Sequence, residues 1–186
     1  MPQGKGILGL MEILASLQKF EMRLFASVFR QTEKRTVIPM ARAISHSGDG
    51  YLHVLAPISV WLVDPASFTR LLPLLSLALV AERGLYWLVK NSLRRPRPQE
   101  SVPGFRSLIT ASDQFSFPSG HSSCAFLLAT AMMLVYGAAA APMLLWAAAV
   151  ALSRVLLGVH FPGDILAGAL MGSAIALLVA AQLGAG

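Results

Sequence analysis

Residues 121–157 read HSSCAFLLATAMMLVYGAAAAPMLLWAAAVALSRVLL, and this stretch decides the fold. Arg154 is its one formally charged side chain. A helix that crosses a bilayer needs roughly 20 mostly apolar residues. The stretch is long enough for two such helices, His121 to Tyr136 and Pro142 to Leu157, joined at Gly137 to Ala141. Working outward, the pattern repeats. Ile165 to Leu183 is a further apolar run, Leu71 to Val89 is broken by charge only at Glu82 and Arg83, and Tyr51 to Val63 is short but strongly apolar. Small residues crowd the last two runs (Ala147 to Ala149, Gly168, Gly172, Ala176), which allows helices to pack closely inside lipid. The expected fold is an all-α, polytopic transmembrane helix bundle of five spans, or six if the N-terminal segment also crosses.

Composition agrees. The chain is 55% hydrophobic and 13% charged, with mean hydropathy +0.64, whereas soluble domains carry about a quarter charged residues. At 186 residues it has room for one domain. Lys and Arg number 15 against 9 Asp and Glu, a formal charge of +6. The basic residues gather in the first 42 positions and between Lys90 and Arg106. In a membrane chain that distribution points to lipid headgroups or a phosphorylated substrate, not to nucleic acid. The single Cys124 excludes an internal disulfide and a cysteine zinc cage, and reads as a small packing residue.

Residues 1–50 read as an amphipathic segment ahead of a transmembrane domain at 51–186. From residue 7 to about 30, Glu12, Ser16, Lys19, Arg23 and Ser27 recur every three or four positions, with Leu10, Leu14, Leu17, Leu24 and Val28 on other sides. Charges this frequent are costly at the bilayer centre, so the expectation is a helix lying in the interface. No signal-peptide pattern is present in the first 30 residues. Val37 to Ile44 is a shorter segment, and Ser47-Gly48-Asp49-Gly50 is a turn signal.

The polar joints carry the chemistry. With antiparallel succession, the long proline-rich loop at 91–120 and the joint at 158–163 lie on one membrane face. Lys90 ends a span, and Pro96 and Pro98 hold Arg95 and Arg97 in extended backbone. Guanidinium groups match phosphate oxygens in pairs, while lysine adds a point charge. Before the third span comes Phe117-Pro118-Ser119-Gly120-His121, where Ser119 is placed to cap a helix whose free N–H groups suit an anion, and His121 offers a proton donor. Arg154 within an uncharged span implies an anionic partner. His160 precedes Pro162, which can open a helix, and Asp164 then falls in its first turn within reach of the imidazole. A carboxylate that fixes a histidine tautomer leaves the other nitrogen free as nucleophile or base. The residues alone leave open which histidine attacks.

The pattern Lys90-x6-Arg97-Pro98, then Pro118-Ser119-Gly120-His121, then Ser153-Arg154-x5-His160-x3-Asp164 resembles the three-part signature of the type-2 phosphatidic acid phosphatase family, which includes the vanadium haloperoxidases. The match is complete in identity, order and spacing. The resemblance implies that Lys90, Arg97 and Arg154, helped by Ser119 and the Gly120 N–H, hold a phosphoryl group. His160 would attack phosphorus and form a phosphohistidine, Asp164 would orient His160, and His121 would protonate the leaving oxygen. No cofactor or metal is expected. The implied partner is a phosphorylated membrane lipid: a polyprenyl diphosphate, phosphatidylglycerol phosphate, phosphatidic acid or lipid A phosphate. The implied location is a bacterial inner membrane, with the site facing the periplasm or exterior. Five apolar spans argue against a soluble haloperoxidase, and an intact motif argues against a non-catalytic transporter. Transfer of the phosphoryl group to a second lipid remains an alternative.

Outside the motif, Glu82 and Arg83 are expected to pair within the span. Arg94, Arg95 and Arg106 lie in the active loop, where contact with a second phosphate or lipid headgroups is the lesser of the two readings. His46 and His53 read as interfacial or core residues. Trp61, Trp87 and Trp146 read as packing or interface anchors.

Overall fold

From Gln3 to Leu183 one helix follows another. The computed structural model describes residues 3–184, with side-chain surroundings from Ser16 onward. Leu10, Glu12 and Leu14, part of the two-faced N-terminal pattern, therefore lie outside the described side chains. The helices are α1 (Gln3–Phe29), α2 (Val37–Ser47), α3 (Tyr51–Val63), α4 (Pro65–Leu93), the single turn α5 (Pro98–Ser101), α6 (Gly120–Tyr136), α7 (Ala141–Leu156) and α8 (Pro162–Leu183), with no strand among the described residues.

Local chemistry sets the boundaries. Asp64 accepts a hydrogen bond from Ser67 N at 3.2 Å and Pro65 occupies the first helical position, so α4 starts before its apolar run does. It ends at Arg94, whose φ of +46° is left-handed. Ser119 caps α6 by accepting from Ser122 N, as its sequence predicts. Pro162 opens α8, and Asp164 Oδ2 accepts from Phe161 N at 2.7 Å.

Among the described residues three stretches are long and apolar enough to cross a membrane: Pro65–Ser101, Gly120–Leu156 and Pro162–Leu183. The second is folded in two at Gly137, as expected. Ala125 and Ala129 of α6 pack on Ala147 and Val150 of α7, and Gly48 touches both Val150 and His121, so the end of α7 lies beside the start of α6. The 13 residues of α3 rise only about 20 Å, making it the shorter fifth member of the bundle. It runs back along α4, with Val60 against the Leu71–Leu75 face. α6 and α8 run in the same direction: Ser122 Oγ donates to Ile165 O near their starts and Thr130 Oγ1 to Ser173 Oγ further along.

The glycines at this contact are required by space. A Cβ at Gly168 would collide with Ser119 O, and one at Gly172 with Ser123 O. Around them Leu71, Leu74, Ala78, Leu127, Leu128, Ala131 and Ala176 form the main packed core. Outward, Val80, Leu145 and Leu170 are 74%, 75% and 72% exposed, whereas Glu82 and Asp164 are wholly buried. Apolar surface outside and carboxyl groups inside is the polarity of a protein solvated by lipid. Trp61 and Trp87 stand on that outer surface, while Trp146 turns inward to donate to Ser47 Oγ.

The bundle brings one set of ends together: the end of α2, the starts of α3, α6 and α8, and the ends of α4 and α7. The last turns of α1 join this face through Phe25 and Phe29, which pack on Phe105, with Phe25 also on Phe161.

Candidate active site

Hydrogen bonds between the polar joints hold the site in shape. Ser116 N donates to Arg95 O at 2.8 Å and Ser116 Oγ to Pro96 O at 3.0 Å, fastening both halves of the 94–119 loop. Ser119 N donates to Asp164 O, and Leu108 N to Leu157 O, each at 3.0 Å. Arg97 is extended (φ −79°, ψ 162°) between its two prolines, as expected.

These ties build a cavity of about 740 Å³ whose wall includes Arg97, Gly120, His121, Arg154 and His160. Lys90, Ser119 and Asp164 stand just behind it, all buried. The structure thus draws all eight motif residues to one place. Among the described residues no group of three His, Cys, Asp or Glu side chains is arranged to hold a metal ion.

His160 sits in the joint between α7 and α8. Burial pushes its imidazole down to about 4; the nearby Asp164 opposes that shift, and Arg97 and Arg154 reinforce it. The ring is therefore neutral at neutral pH, the form that can attack. Asp164 Oδ2 lies 3.7 Å from His160 Nδ1, within electrostatic contact but beyond a hydrogen bond. That oxygen is held by Phe161 N, and Oδ1 accepts from Arg95 Nη1 at 2.7 Å. Among the described residues His160 Nδ1 has no hydrogen-bond partner. The expected contact between carboxylate and imidazole is thus electrostatic in this structure.

Among the described residues Arg154 has no carboxylate partner. Its Nη1 donates to Ser45 Oγ at 2.5 Å, and its Nε is buried without a hydrogen bond. The other two motif cations share a carboxylate that the motif does not contain. The Asp113 carboxylate takes Lys90 Nζ at 2.7 Å on Oδ2 and Arg97 Nη2 on Oδ1, and Tyr86 OH also donates to it. Burial alone would raise the Asp113 carboxyl; hydrogen bonds from Lys90 and Tyr86 and the charge of Arg97 hold it at about 2. Arg97 is further tied to Val159 O at 2.5 Å and Asp113 O at 3.1 Å.

Several residues here escaped the sequence reading. Asp113 is the one acidic residue between Glu100 and Asp164, a signal that was available. Asp49, in the turn after α2, contacts His121 Nε2 through Oδ1 at 2.7 Å; an aspartate between glycines reads as turn chemistry. Arg95 does not reach for headgroups: it pairs with Glu21 of α1 and with Asp164. Glu82 and Arg83 pair as expected, at 2.5 and 2.6 Å. Cys124 lies on the cavity wall, with Sγ 3.2 Å from Arg83 Nη2, and so does more than fill space.

The geometry carries the signature residues, and residues 71–185, more than half of the chain, match the PAP2 superfamily. The chain belongs to the PAP2 superfamily. Over 95 residues it is 36% identical to decaprenylphosphoryl-5-phosphoribose phosphatase of Mycobacterium tuberculosis, across 50% of each chain. It is 31% identical over 119 residues to the putative undecaprenyl-diphosphatase YbjG of Escherichia coli, covering 63% of this chain and 60% of that one. Its matched segment thus spans about half the length of the mycobacterial relative. The PAP2 fold is also that of the crystal structure of Aquifex aeolicus LpxE: the TM-score is 0.70 at 24% identity, over 85% of this chain and 93% of that one. Ser45 and Asp49 lie outside the PAP2 match, which begins at residue 71.

Proposed function

We propose that this PAP2 protein is a membrane-integral lipid phosphatase working through a phosphohistidine. The observation that carries the reading is Arg154, a buried cation on the cavity wall with an unbonded Nε and no carboxylate partner among the described residues, beside a neutral His160. An unpaired buried cation costs several kcal/mol, and an anionic substrate relieves it.

In the proposed reaction His160 Nε2 attacks phosphorus as the bond to the leaving oxygen breaks, and His121 gives that oxygen its proton. Lys90, Arg97 and Arg154, with Ser119 and the Gly120 N–H, hold the remaining oxygens. Asp164 offsets the positive charge that forms on His160. Water then attacks the phosphorus–nitrogen bond, returns its proton to His121, and frees phosphate and His160. Positioning and charge stabilisation do most of the work in such transfers.

A site at the membrane end of a lipid-facing bundle suits a substrate whose phosphate lies at headgroup depth. Polyprenyl diphosphate, phosphatidylglycerol phosphate, phosphatidic acid and lipid A phosphate all fit that description, and the names of the two relatives favour a polyprenyl carrier. We place the protein in a bacterial inner membrane with the site facing outward, and residues 1–50 as an interfacial segment completing the phosphatase domain of 51–186. A phosphate-release panel over these four lipids in detergent is the test. At least one is expected to turn over in the wild type and none in His160→Ala; release by a folded His160→Ala at the wild-type rate contradicts the reading.

A further inference from the structure

The turn Gly48-Asp49-Gly50 sits where α2, α3, α6 and α7 meet. Gly48 is pressed so closely on α7 that a Cβ there would lie 2.6 Å from Val150 Cγ1 and 3.5 Å from His121 Cδ2. Trp146 Nε1 of α7 donates to Ser47 Oγ at 2.9 Å, and Asp49 N donates to His46 O at 3.1 Å. The turn is thus fixed from two sides, and Asp49 has one place to go.

That place is between two imidazoles. Asp49 Oδ1 meets His121 Nε2 at 2.7 Å, and Oδ2 meets His46 Nδ1 at 2.6 Å. The His121 side chain is 22% exposed and on the cavity wall, while that of His46 is 68% exposed, with its ring edge-on to Tyr51 at 5.5 Å. Burial would raise the Asp49 carboxyl, yet contacts with His121 and then His46 hold it below its ordinary value. The other charged groups facing His121 are Arg154 from α7 and Asp113 from the 94–119 loop. Asp113 is already committed to Lys90 and Arg97. Asp49 is therefore the carboxylate in direct contact with His121, set against the repulsion of Arg154.

We propose that Asp49 is a positioning residue for leaving-group protonation: its contact with Nε2 orients the His121 ring with Nδ1 toward the substrate and opposes loss of the ring's proton, and His46 anchors Asp49 from outside. The inference rests on the proposed phosphatase reading. A histidine that donates a proton must carry it and be aimed before the bond breaks, and a contacting carboxylate favours the protonated imidazole. With Nε2 committed to Asp49, Nδ1 is the nitrogen left for the leaving oxygen.

The dependence on leaving group tests this. A long-chain alkyl phosphate departs as a strongly basic alkoxide and needs the proton, whereas a 4-nitrophenyl phosphate departs as a stabilised phenolate and needs it far less. For Asp49→Asn, kcat on dodecyl phosphate is expected to fall roughly 100-fold, the scale of a general acid's contribution, and at least tenfold more than on 4-nitrophenyl phosphate. The alkaline limb of the dodecyl phosphate profile is expected to move to lower pH, because the imidazolium loses its counter-charge. Asp49→Glu is expected to recover part of both effects, and His46→Gln to show a smaller version of the first. Equal losses on the two esters, or an unmoved alkaline limb, overturn the proposal. A wild-type protein that releases phosphate from neither ester nor any lipid fails the phosphatase reading itself, a distinct result.

Discussion

Asp113 changes how the cationic cradle is understood. Lys90, Arg97 and Arg154 could be recognised from spacing, because residue type and interval in a short segment carry that information. Their resting partner had a single mark, as the one acidic residue between Glu100 and Asp164; a loop of some two dozen residues has no periodicity to say which of its side chains turns inward. In the structure the Asp113 carboxylate lies between Lys90 and Arg97, so under the proposed function an incoming phosphoryl group would compete with it. Asp113→Asn keeps a polar group for Tyr86 but removes the charge. Inhibition by inorganic phosphate or vanadate is expected to tighten about tenfold, roughly 1.4 kcal/mol; weaker inhibition would show that Asp113 assists anion binding instead. His160 sets the pH dependence. Its folded value, about 4, lies below the ordinary histidine value of 6.5, so the folded ring stays neutral as pH falls while the unfolded one takes up a proton. Stability is therefore lost progressively as pH falls from 6.5 towards 4. The proposed nucleophile keeps its neutral form until pH nears 4. Once the substrate's own ionisation is divided out, the acid limb of kcat/KM is expected near that value, and a limb near the ordinary histidine value would show that His160 is solvated in the working enzyme.

At the scale of elements, apolar runs located α3, α4, α6, α7 and α8, and the small residues of α8 announced its close approach. What they did not convey was the extent of α4, which begins at Pro65 because Asp64 and Pro65 start a helix regardless of hydropathy. Nor did they show that α8 packs directly on α6, with Gly172 against Ser123 O. That contact is a sharp test of the bundle. Gly172→Leu forces α8 off α6, which carry Asp164 and His121 respectively. A loss of about 3 kcal/mol is expected, at the upper end for overpacking, together with loss of activity. Leu170→Ala, two residues away on the lipid-facing side and 72% exposed, is expected to change both little. Thermal unfolding in detergent, followed by tryptophan fluorescence, compares the two; equal midpoints would contradict the packing described.

The whole molecule reads as a lipid-solvated bundle whose polar groups are drawn to one end. That much followed from composition and the order of spans. The contribution of the N-terminal third did not, because Glu21, Ser45 and Asp49 act singly and across long sequence separations. Glu21 reaches Arg95 and Gly163 N, Ser45 reaches Arg154, and Asp49 reaches His121. Residues ahead of the family match thus contact three residues of the candidate site: Asp164 through Arg95, Arg154 directly, and His121 directly. The central claim is that phosphoryl transfer passes through His160. It is tested most directly by mixing the detergent-solubilised protein with a lipid phosphate that it turns over, quenching in alkali, where phosphohistidine survives, and mapping the added phosphate by mass spectrometry. The account predicts phosphate on His160 in the wild type and none in His160→Ala. A phosphorylated residue elsewhere, or an unmodified His160 during steady turnover, would contradict it.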